Sequence, residues 1–270
     1  MALGITELAP RIGSRVEASR EALLSGAHAE ELRTLLAERA VLVFPRLSLS
    51  DEEHLQFSRT LGEVIPFCDT GVRPITREGQ DAAYITTSFY WHFDGAFDDL
   101  PSRAGMLSAR RLSGTGGGQT MFANTYAAYA DLTEDEKQAY DRLRIVHSFE
   151  ANQRIINPAP SYATLLEWRR RFPMPRIHPM VWHHRNGHNS LAIGTTASHI
   201  DGMSLDDGRL LLAKLLDWAT QPQYVYSHDW ELGDLAVYDN TAVLHRVEPY
   251  AQGSGRLMHR TALVGEEDLV

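Results

Sequence analysis

Asp234-Leu235-Ala236-Val237-Tyr238-Asp239-Asn240-Thr241-Ala242-Val243-Leu244-His245-Arg246-Val247 holds two strand-like runs, 234–238 and 242–247, separated by three polar residues. A histidine sits inside the second run. Short runs rich in β-branched and aromatic residues, bounded by turn formers, read as strands. Similar runs occur at 83–87, 104–109, 119–123, 143–149, 180–184, 189–194, 223–228 and 257–264. Helical patterns are fewer. Leu32, Leu35 and Leu36 stand at helical spacing within 28–39, just before the strand-like Ala40-Val41-Leu42-Val43-Phe44. Ser50 with Glu53 has the form of a capping box for a helix to about Leu61, with Gly62 at its stop. Further helical patterns lie at 133–142, opened by Thr133, at 161–171 and at 206–219. Many short strands with grouped helices predict a mainly β fold with helical cover, a double-sheet jelly roll. A single domain over 1–270 is expected, with a helical insert at about 125–180.

His245 acquires meaning from a second histidine far upstream. His92-Phe93-Asp94 follows the run 83–87, and residues at i and i+2 of a strand end share a face. His-x-Asp is short enough to arise by chance, and His199-Ile200-Asp201 is a second instance. That second triplet lies close to His245, with little chain in between to build the rest of a barrel. His92, Asp94 and His245 are therefore the expected set. Two imidazoles and one carboxylate form the facial ligand set of non-haem iron(II) oxygenases, which leaves metal positions for 2-oxoglutarate and O₂.

Arg256, Met258 and Arg260 alternate on the last strand-like run, so both arginines are expected to point into the barrel. A buried arginine is costly unless paired, and an anionic ligand is its natural partner. Arg256 is expected to hold the far carboxylate of 2-oxoglutarate. Thr120 follows Gly116-Gly117-Gly118-Gln119 at a strand entry, where its hydroxyl could donate to the same carboxylate.

Composition excludes other classes. Hydrophobic content of 43% and charged content of 23% are ordinary for a globular chain. The net charge of −9 and the lack of a basic cluster argue against nucleic-acid binding. Arg169-Arg170-Arg171 reads as the solvated face of a helix. The single Cys68 excludes an internal disulfide and a multi-cysteine zinc site, and suits a reducing compartment. No leader-like segment and no membrane-length apolar run is visible. The expectation is a soluble cytoplasmic protein acting on a small molecule, and the sequence is compatible with a homo-oligomer.

These segments, taken together, resemble the taurine dioxygenase / 2,4-dichlorophenoxyacetate dioxygenase family of Fe(II)- and 2-oxoglutarate-dependent enzymes. The matching stretches are Leu42-Val43-Phe44-Pro45 with Leu49-Ser50-Asp51-Glu52-Glu53, Trp91-His92-Phe93-Asp94-Gly95, Gly116-Gly117-Gly118-Gln119-Thr120, Tyr238-Asp239-Asn240 with His245, and Arg256-Leu257-Met258-His259-Arg260. They occur in family order over nearly the whole chain. The resemblance implies a double-stranded β-helix, with His92, Asp94 and His245 as iron ligands and Thr120 and Arg256 as contacts to 2-oxoglutarate. It implies hydroxylation of a C–H bond of a small or medium organic substrate, or oxidative cleavage after that hydroxylation, with release of succinate and CO₂. It places Arg260 where taurine-like members grip an anionic substrate group. Ser88, Gly95, Asn152, Gln153 and Thr196 fall at substrate-pocket positions. Asn152 and Gln153 depart from the more aromatic lining of the taurine enzyme.

Two other readings compete. A zinc hydrolase would use the plentiful histidines, but no His-Glu-x-x-His occurs. His183, His184 and His188 read instead as a polar hairpin with an Asn186-Gly187 turn. A non-catalytic cupin-like binding protein would keep the barrel and need neither the triad nor Arg256.

Overall fold

The structure is a computed structural model that describes residues 2–78, 82–98 and 100–269, with the backbone alone at Ala83 and Tyr84. The described residues are mainly sheet with covering helices. The largest sheet runs in the order β1 (Gly4–Ala9), β2 (Ile12–Glu17), β3 (Val41–Phe44), β13 (Leu235–Asp239), β5 (Ala104–Arg111), β15 (Leu257–Ala262) and β4 (Arg73–Ile75). The β2–β3 pair is parallel and the other pairs are antiparallel. A second sheet has the order β12 (Val225–His228), β6 (Thr120–Asn124), β14 (Val243–Val247). A third pairs β11 (Ala197–Ile200), β7 (Arg144–His147) and β8 (Arg176–Pro179), and β9 (Val181–His183) pairs with β10 (Asn189–Leu191).

Strand alternation sorts the apolar side chains into two layers. Val41, Val43, Leu107, Ala236, Tyr238 and Met258 leave one face of the large sheet and meet Phe122 and Val243 of the second sheet. Leu42, Phe44, Met106, Leu235 and Val237 leave the other face. They pack under Leu32 and Leu36 of helix Ala29–Arg39 and under Phe57 and Leu61 of helix Asp51–Leu61. Each such burial contributes about 1.5–3 kcal/mol, so both layers hold the large sheet flat against its neighbours. The Ser50–Glu53 capping box is present and Gly62 is the C-cap. The box at Thr133 is also present, opening helix Glu134–Tyr140.

Several elements differ from the sequence reading. Residues 83–87 are not a strand: a helix spans Ala82–Thr86 and a 3₁₀ turn spans Thr87–Phe89. The aromatic and β-branched residues favour a strand. The local hydroxyls instead bond back to helical carbonyls, Thr86 Oγ1 to Ala82 O at 3.0 Å and Ser88 Oγ to Ile85 O at 2.6 Å. The 125–180 stretch is not wholly helical. Its helices Thr125–Ala130, Glu134–Tyr140, Phe149–Arg154 and Tyr162–Arg171 are interleaved with β7 and β8. The β1–β2 hairpin escaped the sequence reading because β1 is largely exposed and shows no apolar stripe.

A buried polar network ties helix Asp51–Leu61 to the sheet. His54 is fully buried, with Ser108 Oγ 3.2 Å from Nδ1 and Thr261 Oγ1 3.2 Å from Nε2. Burial, aided by the Arg110 charge, pushes this imidazole down to about 3 from an ordinary 6.5. Between those values the unfolded chain binds a proton that the folded chain refuses. The contribution of His54 is therefore complete above about pH 6.5, and about 1.4 kcal/mol per pH unit is lost as pH falls toward 3. Urea unfolding at pH 7 and pH 5 tests this. The parent should lose about 2 kcal/mol more over that interval than His54→Gln, and equal losses would contradict it.

Candidate active site

The site begins with a backbone bridge. His92 N–H donates to His245 O at 3.1 Å, and His245 N–H donates to His92 O at 2.8 Å. This reciprocal pair brings together two residues that are remote in sequence, with ring centroids 4.3 Å apart. On the other side of His92, Thr195 N–H donates to Trp91 O at 2.9 Å. Gly194, at φ +127°, allows this approach, since a Cβ there would lie 2.9 Å from Trp91 O. His92 Nδ1 lies 2.8 Å from Tyr90 O, so its N–H faces the carbonyl and Nε2 is left as a donor of electrons.

Asp94 is placed by a side chain acting as a surrogate strand. Asn240 Oδ1 accepts from Asp94 N–H at 2.8 Å, and Asn240 Nδ2 donates to Asp94 O at 2.9 Å and to Ser102 O at 2.8 Å. The next turn is locked in the same way, with Asp239 Oδ1 accepting from Thr241 N–H and Oγ1. The strand-alternation argument for His92 and Asp94 thus gives way to a different mechanism. His92 is set by its bridge to His245, and Asp94 sits in a turn held by Asn240.

One carboxylate oxygen gathers the charges. Asp94 Oδ2 accepts from Arg260 Nη2 at 2.6 Å and from Tyr238 Oη at 3.1 Å, and lies 3.3 Å from His245 Nε2. Burial alone would raise the Asp94 carboxyl. The Arg260 guanidinium, then the two histidines, overcome it and hold the group well below the usual carboxylate range. Burial and the neighbouring His245 push His92 down to about 4. At neutral pH the pair therefore offers a charged carboxylate beside a neutral imidazole. Potential ligand atoms of His92, Asp94 and His245 all lie within 4.8 Å of one another. No other such group of three occurs among the described residues.

These three residues open on a cavity of about 350 Å³. Thr120, Arg260, Ser88, Gly95, Asn152, Gln153 and Thr196, all expected at the site, line it. Arg256 does not. It is buried beneath the neighbouring loop, donating from Nη2 to Gly118 O at 2.9 Å, with its guanidinium 4.9 Å from the Tyr250 ring centroid. Gly118 makes room for it: at φ +88°, a Cβ would sit 2.7 Å from Arg256 Nε. Among the described residues Arg256 has no carboxylate partner. Thr120 Oγ1 accepts from Trp230 Nε1 at 3.0 Å.

Sequence reasoning missed the Asn240 clamp and the Tyr238 hydroxyl, although both residues stand in the Tyr238-Asp239-Asn240 motif. It also missed Arg73, which lies opposite Arg260 across β4–β15 and lines the cavity. β4 has three residues and carries no readable periodicity. His199 lies on β11 with its Nδ1 3.1 Å from Ser198 Oγ, outside the cluster. His183, His184 and His188 belong to the β9–β10 hairpin. His183 lies against Asp141, His184 lies against Glu267 and Ser190, and His188 stacks on Tyr126.

Comparison with known proteins identifies the family. Residues 4–262 match the family model for taurine catabolism dioxygenase TauD, TfdA family. An alpha-ketoglutarate-dependent 2,4-dichlorophenoxyacetate dioxygenase of Burkholderia sp. (strain RASC) is 34% identical over 264 residues, covering 90% of this chain and 87% of the relative. An alpha-ketoglutarate-dependent sulfate ester dioxygenase of Pseudomonas putida is 30% identical, with 98% and 90% covered. The crystal structure of AAD-2 in complex with Mn(II) and N-oxalylglycine superposes with a TM-score of 0.87 at 29% identity, covering all of both chains. The bridged histidines, the clamped aspartate and a match across almost the entire chain place this protein in the TauD/TfdA family, as an Fe(II)- and 2-oxoglutarate-dependent dioxygenase.

Proposed function

We propose that His92, Asp94 and His245 hold the iron, and that the enzyme oxidises a C–H bond of a small or medium-sized anionic substrate. The observation that carries this reading is the convergence of two imidazoles and one carboxylate at the cavity wall. The donor set fits the metal: Nε2 of His92 is left outward by the bond to Tyr90 O, Nε2 of His245 faces Asp94, and Asp94 is ionised. Bound Fe(II) with 2-oxoglutarate and O₂ supplies the oxidising chemistry, yielding succinate, CO₂ and a hydroxylated product. The protein positions the donors, holds the carboxylates and keeps water from the cavity.

Arg256 is the expected clamp for the distal carboxylate of 2-oxoglutarate. A buried guanidinium without an acidic partner is costly, and a dicarboxylate cosubstrate supplies the missing charge. Thr120 assists. Its oxygen is occupied by the Trp230 N–H, so its own proton is left to donate. Arg260 and Arg73 face each other across two strands at the cavity wall. Asp94 already meets Arg260, and an anionic group on the substrate would meet the second positive charge, that of Arg73. The named substrates of the two relatives, a phenoxyacetate and a sulfate ester, are anionic too. We read the facing sheets as a double-stranded β-helix, a jelly roll with the site at its mouth. It forms one domain over 1–270, with the 125–180 insert supplying Asn152 and Gln153.

Two experiments test the assignment. His92→Ala, Asp94→Ala and His245→Ala should each abolish Fe(II)- and O₂-dependent conversion of 2-oxoglutarate to succinate, whereas His199→Ala should retain it. Full turnover by Asp94→Ala or His245→Ala would refute the ligand set. Arg256→Ala should raise the KM for 2-oxoglutarate by about two orders of magnitude, as expected for losing one partner of a buried pair, while Fe(II) still binds. Gly118→Ala should act in the same direction, because its Cβ displaces the Arg256 guanidinium. A parental KM in both variants would move the role elsewhere.

A further inference from the structure

The helix Phe149–Arg154, capped by Ser148, turns Phe149, Asn152 and Gln153 toward the cavity, as expected for positions i, i+3 and i+4. Thr195 follows Gly194 and lines the same space. Three polar atoms of these residues are buried and have no partner among the described residues: Asn152 Oδ1, Gln153 Nε2 and Thr195 Oγ1. Gln153 is only 4% exposed. Neighbouring polar groups are already engaged. Thr196 Oγ1 lies 2.8 Å from His147 Nδ1, and Ser88 Oγ donates to Ile85 O. The free atoms are thus a selected set: one acceptor, one donor and one hydroxyl that can serve either way.

Leaving such groups unmet is expensive, so a ligand that reaches them must bring polar partners of its own. An apolar ring meets none of the three requirements. The two arginines stand on the large sheet, whereas these three residues come from the helix and from the 194–196 segment. We propose that the cavity recognises two features of one substrate. An anionic group lies against Arg260 and Arg73. A carboxamide-type group accepts from Gln153, donates to Asn152 and is braced by Thr195. This makes Asn152, Gln153 and Thr195 specificity-determining residues, and the substrate class an acyl-amide acid rather than a plain aryl or alkyl acid. The inference rests on the oxygenase reading above.

The test uses the anaerobic complex with Fe(II) and 2-oxoglutarate, with binding measured by calorimetry. Matched probes differ only at the amide: N-benzoylglycine, its ketone analogue 3-benzoylpropionate and its hydrocarbon analogue 4-phenylbutanoate, with a parallel N-acyl set of other chain lengths and sulfonates in place of carboxylates. In the parent, amides should bind at least tenfold more tightly than their hydrocarbon partners, with ketones between. In Gln153→Leu that preference should fall to within about threefold, while the hydrocarbon acids bind as well as before or better. Thr195→Val and Asn152→Leu, milder changes, should each reduce the preference in part. If no amide in the parent outbinds its hydrocarbon partner, or if all three variants keep the full preference, the inference is overturned. Failure of the parent to convert 2-oxoglutarate with Fe(II) and O₂ would instead overturn the underlying oxygenase reading.

Discussion

Everything in the site depends on one reciprocal backbone pair, His92 with His245. Two amide hydrogen bonds hold a segment that is otherwise loop against the edge strand β14. A buried backbone amide must find a partner, and this one finds it in the residue that carries the other imidazole. The site's geometry is therefore set by main-chain pairing rather than by side-chain attraction. The Asn240 clamp extends the principle, since its carboxamide serves Asp94 as a neighbouring peptide would. Its own strand, β13, is the centre of the large sheet, flanked by β3 and β5. Core packing on both faces of that sheet thus transmits directly to the carboxylate.

Electrostatics then divides two arginines, one on β15 and one just before it. Arg260 reaches Asp94 and balances its charge. Arg256, which precedes β15, is drawn aside beneath the glycine loop, where no acid among the described residues meets it. The expected alternation does not hold for both: Arg260 lines the cavity, whereas Arg256 precedes the strand, a register shift separates Leu257 from Met258, and the Arg256 side chain lies outside the cavity lining. One meets a carboxylate of the protein, and the other meets a backbone carbonyl and an aromatic ring. The glycines at 117 and 118 are the condition for this. A Cβ at Gly117 would lie 2.2 Å from Pro249 O, and one at Gly118 would strike the Arg256 side chain.

The cavity wall opposite the sheet comes from the insert, and it is polar at chosen points. Phe149 packs with Phe97, Phe172 and Trp168, anchoring the helix that presents Asn152 and Gln153. An aromatic anchor beside unmet amide groups separates the two duties of the insert. One end fixes the helix in the fold, and the other lines the cavity.

The sequence by itself determined the chemistry. Two histidines, one aspartate, two arginines at alternating positions and a glycine run before Thr120 have few joint explanations, and the capping boxes at Ser50 and Thr133 rest on local hydrogen bonds that short-range patterns encode. Only the tertiary structure decided how His92, Asp94 and His245 meet. The run 83–87 reads as a strand from its residue types but folds as a helix and a 3₁₀ turn, because Thr86 and Ser88 find nearby carbonyls. Asn240, Tyr238 and Arg73 have ordinary local signatures, and their roles arise from contacts made across the sheets. Asn152, Gln153 and Thr195 were legible as polar residues, but that their atoms are buried without partners is a property of the enclosed space. Local sequence encodes donors, acceptors and periodicity; which of them remain unsatisfied follows from packing among chain segments far apart in sequence.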